Sequence, residues 1–98
     1  MFSVTRQLAL SLAGEIATWF PPSLQQLSGR KAIEMFKRTA DQLQLKVKAI
    51  QEEHRMGLVR RIVFARTLQK ELGRLGYQGA LVRQLMTHAL TALTFARR

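Results

Sequence analysis

A seven-residue apolar rhythm through the middle of the chain constrains its fold more than any other feature. Phe36, Ala40, Leu43, Val47 and Ile50 recur at alternating four- and three-residue steps, and His54 and Gly57 continue the register. A strand alternates with a period of two, so this pattern belongs to a helix whose narrow apolar stripe seeks another helix. From Arg30 to about Arg55 the stripe runs for about 26 residues, or about 39 Å at 1.5 Å per residue.

Three further segments carry helical periodicity, and none alternates as a strand would. Over 3–20, Val4, Leu8, Leu12, Ile16 and Trp19 define a broad apolar face with only Arg6 and Glu15 charged. Such a helix should be largely enclosed. Pro21 and Pro22 stop it, since proline lacks the amide and disfavours helix in the residue before it. Ser23 with Gln26 forms a capping-box pattern, so the second helix is expected from Leu24, with Ser28-Gly29 a point of interruption after one turn.

Gly57 divides the long stripe from a third helix over 58–75, in preference to one rod over 30–75. The third helix is expected to pack through Leu58, Ile62, Ala65, Leu68 and Leu72. Val59, Val63 and Phe64 fall outside that stripe, and a helix apolar on two sides sits between neighbours or meets another subunit. Leu75-Gly76-Tyr77 reads as a helix end with glycine in the left-handed conformation. A fourth helix over 79–96 carries Leu81, Val82, Leu85, Met86 and Ala89, with Arg97 and Arg98 suiting the negative end of its dipole. The expected fold is therefore all-α: one domain, 1–98, a bundle of about four helices (3–20, 24–55, 58–75, 79–96), the second long and coiled-coil-like. Phe36, Leu43, Val47, Ile50, Val59, Val63 and Phe64 form the expected helical interface stripe.

The 98 residues suffice for one compact domain, and 47% of them are hydrophobic, enough to build a core. There is no cysteine, which excludes disulfides and thiolate metal sites. No apolar run approaches the roughly 20 residues that span a bilayer. Residues 1–11 contain one Arg and no acid, too little charge for an organellar presequence, and Leu8 to Ala13 is too short for a signal peptide's apolar region. That stretch is read as the start of an ordinary first helix, and the expected setting is intracellular, cytoplasmic or organellar.

Catalysis needs convergent nucleophiles, bases or ligands, and few are available. Glu34 is spaced to pair with Arg30, Lys37 and Arg38, and Glu52 with Lys48 and Arg55, as solvated ladders. His54 falls on the long stripe and His88 beside the fourth apolar face. Neither has a ligand at the spacing of a helical metal site, so both are read as half-buried, hydrogen-bonded side chains. The scattered glycines match no phosphate-binding loop. The expectation is a protein that is not an enzyme, with no metal, cofactor or small-molecule substrate.

Charge is the more informative signal. Sixteen Lys and Arg stand against six Asp and Glu, a formal +10. It divides into zero over the first helix, +3 over the second, +4 over the third and +3 over the fourth with its tail. Arg66, Lys70 and Arg74 recur every four residues on the third helix, with Arg60 toward the same side; like charges at this spacing repel unless an anion compensates. Thr67 to His88 also has the outline of a helix-turn-helix, whose second helix would offer Gln78, Arg83, Gln84 and His88 to a groove. The motif wants a small residue where Leu72 stands, unless Gly73 takes that role.

Arg60, Arg66, Lys70, Arg74 and Arg83 are thus the candidate anion or nucleic-acid contacts. The leading expectation is a non-catalytic subunit or adaptor of a larger assembly, a nucleoprotein assembly included, meeting a protein partner or itself. Autonomous DNA or RNA binding through 67–88 is the alternative. Peripheral binding to anionic lipid comes last, because the first helix lacks the basic flank that a membrane-surface helix uses.

Overall fold

The computed structural model describes residues 2–26 and 29–95, the side chains of 26 and 95 excepted. The first helix, α1, spans Ser3–Trp19 and ends against the two prolines as their chemistry requires. Pro22–Gln26 then forms a single 3-10 turn instead of the opening of the second helix. The helix expected from Leu24 begins at Arg30. The break lies at Gly29, whose φ of +98° and ψ of −174° take the backbone to a conformation that glycine alone enters readily. Ser28, half of the expected interruption, and the Gln26 side chain of the expected cap lie outside the described residues.

The second helix, α2, spans Arg30–His54, 25 residues and about 38 Å at 1.5 Å per residue. That length matches the molecule's longest dimension, 40 Å. It is separate from α3, Leu58–Arg74, as expected, and Gly57 lies in the break, which it shares with Arg55 and Met56, as the N-cap of α3. Gly57 is extended (φ −74°, ψ −179°), while Arg55 takes the left-handed conformation at φ 47° and ψ 55°. The Gln51 side chain donates to the Met56 carbonyl at 3.0 Å and holds the turn.

At the other end of α3, Gly76 has the expected positive φ, +106°. Its N–H reaches the Gly73 carbonyl at 3.1 Å and that of Tyr77 reaches the Leu72 carbonyl at 3.3 Å, the two bonds of a Schellman cap. The fourth helix, α4, spans Gly79–Phe95. Ala96 and the basic pair Arg97 and Arg98 lie outside the described residues.

The four helices form an all-α bundle. Within it α1 packs most closely on α3 and α2 on α4, with α3 against α4 and α1 against α2 closing the ring. The consecutive helices α2 and α3 are not a close pair. Leu12 and Ile16 of α1, Leu43 and Val47 of α2, Leu68 and Leu72 of α3 and Leu85 of α4 meet in one core, all nearly inaccessible to solvent. The seven-residue stripe of α2 therefore lies inside the bundle, with Phe36 and Ile50 half-buried at its margins.

The rotation of α3 differs from expectation. Phe64 is fully buried beside Leu68 and Leu72, whereas Leu58 and Ile62, expected in the core, are 69% and 50% exposed. Val63 is half-buried and Val59 is 60% exposed. Apolar residues on two sides of α3 allow either orientation, and burying the phenylalanine ring removes more apolar surface from water than burying one aliphatic side chain.

Candidate interaction site

The basic ridge of α3 faces α1 across a groove of about 750 Å³. On the α3 side the groove is lined by Arg66, Lys70 and Arg74 with Val63, and on the α1 side by Arg6 with Leu10. Arg6, Arg66 and Lys70 are exposed, and none of them closes an ion pair among the described residues. Arg74 is different. Its Nε and Nη2 donate to the two carboxylate oxygens of Glu71 at 2.8 and 2.6 Å, the fork-on-fork geometry that arginine makes with a carboxylate. Hydrogen bonding to Arg74 holds the Glu71 carboxyl below the usual carboxylate range, partial desolvation opposes this, and the guanidinium charge adds to the lowering. Of the expected ridge of three cations, Arg74 is thus held by Glu71, and Arg66 and Lys70 are joined by Arg6 from a different helix.

Arg60 and Arg83 are exposed but do not line this groove, so the five expected contact residues do not come together. The α2 ladders also differ from expectation: among the described residues neither Glu34 nor Glu52 closes an ion pair, and Glu15 instead bridges to Lys46 at 3.1 Å.

Beyond Arg66 the surface changes character. A shallow pocket of about 240 Å³ between α3 and α4 is lined by Leu58, Ile62, Ala65 and Leu90, with Arg61 and Arg66 at its edge. Leu90 is 47% exposed. Arg61 is half-buried there and donates from Nη1 to the Leu93 carbonyl at 3.4 Å. Arg66 lines both depressions, so basic groove and apolar pocket form one continuous surface along α3.

The helix-turn-helix outline loses two of its parts. His88 is half-buried in the seam between α2 and α4, its Nδ1 paired with Gln44 Nε2 at 3.1 Å and its ring edge-on to Phe36. A Cβ added at Gly73 would meet nothing within 4 Å, so that glycine does not provide the close crossing the motif needs. Of the side chains expected to reach a groove, Gln78, Arg83 and Gln84 remain exposed.

Sequence reasoning missed Arg6, Leu10 and Leu90 as members of this surface. The i, i+4 spacing of Arg6 and Leu10 placed them on one face of α1, but only the pairing of α1 with α3 brings that face to the ridge. Among the described residues no group of His, Asp and Glu is placed to hold a metal ion, and no helix is long and apolar enough to cross a membrane. The fold defines the molecule as an all-α four-helix bundle with a basic, partly apolar face on its third helix. No protein family matches the chain, nor does any curated protein or solved structure.

Proposed function

We propose that this protein is a non-catalytic interaction module, a small basic subunit or adaptor that docks on a larger partner through the outer face of α3. The observation that carries this reading is the exposure of Leu58 and Ile62, at 69% and 50%, on adjacent turns of one helix, with Leu90, 47% exposed, lining the same pocket. A lone exposed leucine is ordinary, whereas several large apolar side chains gathered around one depression mark a docking surface. Covering them gains about 25 cal/mol for each Å² removed from water. The cations that continue the face would steer an acidic partner toward it.

Affinity purification of the intact chain with and without nuclease tests this, run beside a Leu58→Ser/Ile62→Ser double variant. The expected result is a protein that stays bound after nuclease treatment and is lost from the variant. A partner lost on nuclease treatment and indifferent to the variant would refute the reading. Direct binding of DNA or RNA is the second reading, favoured by the juxtaposition of Arg6, Arg66 and Lys70 without acid partners among the described residues. It requires affinity that falls steeply with salt as phosphate counterions are released. Constant affinity between low and moderate salt would remove it.

A further inference from the structure

Resting on that adaptor reading, we propose that the partner segment is an acidic amphipathic helix laid along α3. Its apolar side chains sit at Leu58, Ile62 and Leu90, and its carboxylates sit at Arg66, Lys70 and Arg6. Leu58, Ile62, Arg66 and Lys70 follow one another at four-residue steps and so lie on a single ridge of the helix. The ridge changes from apolar to cationic midway. Ile62 and Lys70 are about 12 Å apart along the axis at 1.5 Å per residue. A second helix has the same rise and pitch, so a segment with apolar anchors one turn apart and acids one and two turns further on matches both halves at once. This is helix-in-groove recognition with a charged end.

The alternatives fit less of the surface. A phosphate backbone would satisfy Arg6, Arg66 and Lys70 but leave Leu58, Ile62 and Leu90 in water, together with Leu10 and Val63 of the groove lining. A second copy of the chain has few carboxylates to offer, with six acids against sixteen bases, and Glu15 and Glu71 already engaged. Glu71 does not deter an acidic partner, because Arg74 grips both of its oxygens. Within the groove the unopposed charge is positive.

The test uses the full chain and a synthetic helical peptide of about four turns. The peptide carries leucines at the anchor spacing and glutamates one and two turns on; a twin has lysine in place of every glutamate. Duplex DNA and vesicles of phosphatidylglycerol are measured alongside. The glutamate peptide is expected to bind and the lysine twin to fail. Arg66→Glu/Lys70→Glu and Ile62→Ser should each weaken binding by about tenfold or more, since each removes one half of the match. Arg83→Glu, a charge reversal away from the face, should leave it unchanged. All these positions are exposed, and circular dichroism melts confirm that each variant is folded.

Failure of the glutamate peptide to bind, equal binding of the twin, or tighter binding of DNA or vesicles that ignores Ile62→Ser would overturn the proposal. A protein that survives nuclease in the purification and is indifferent to Arg66→Glu/Lys70→Glu would leave the adaptor reading standing and remove this one alone.

Discussion

Tyr77 is the only tyrosine in the chain, 5% exposed, and its hydroxyl donates to the carbonyl oxygen of Phe20, one of the acceptors that α1 leaves open at its C-terminal end. Tyr77→Phe should therefore cost about 1 kcal/mol, read from a urea midpoint. Burial pushes the phenol up to about 12. The folded value lies above the unfolded one, so this contribution to stability is fully present below about pH 10 and is lost as pH rises toward 12. A titration of tyrosinate absorbance reports this residue alone and should show its midpoint near 12 in the folded protein. The alkaline loss of stability over that window should shrink in Tyr77→Phe. Arg55 is the opposite case, a side chain in a backbone conformation it disfavours, exposed and without an ion pair among the described residues. Arg55→Gly should stabilise the protein by about 0.5–1 kcal/mol in a urea titration. A loss of stability would show that the Arg55 side chain itself holds the turn.

Among the elements, the 3-10 turn at Pro22–Gln26 has a mechanical role. The Gln25 amide donates to the Gly76 carbonyl and accepts from the Gln78 N–H, both at 2.7 Å, and so clamps the corner between α3 and α4. Gln25→Ala should cost about 1–2 kcal/mol and speed hydrogen exchange at the Gln78 amide, with α2 amides little affected. Most elements were legible in the sequence, because apolar periods and the Leu75-Gly76-Tyr77 cap are local signals. The start of α2 was legible in part: the interruption at Gly29 was, but the character of the turn before it was not, since one 3-10 turn resembles the first turn of a helix. The rotation of α3 was not legible, as Phe64 and Ile62 compete for the core on equal periodic terms. The Arg66–Lys70 ridge and the Glu71–Arg74 spacing were visible as three- and four-residue steps. Arg6 and Leu90 were not, because membership of that surface depends on which helices pack together.

At the scale of the whole molecule, charge and packing separate cleanly. The uncharged interiors of all four helices share one core, and among the described residues no Lys or Arg side chain belongs to it. The acids that do pair either hold neighbouring helices, as Glu15 does with Lys46, or fix a single arginine, as Glu71 does. The pairing of α1 with α3, two elements on, also has a consequence during synthesis. The contacts that anchor the end of α1 and the turn after it span 57 residues from Tyr77 to Phe20 and 51 from Gln25 to Gly76. Ala9, Leu12 and Ile16 therefore have no α3 to cover them until residues 58–74 have been made. At about 5–20 residues per second that wait is roughly 3–12 s. Throughout it the nascent chain displays an apolar helix of the kind that ribosome-associated chaperones bind.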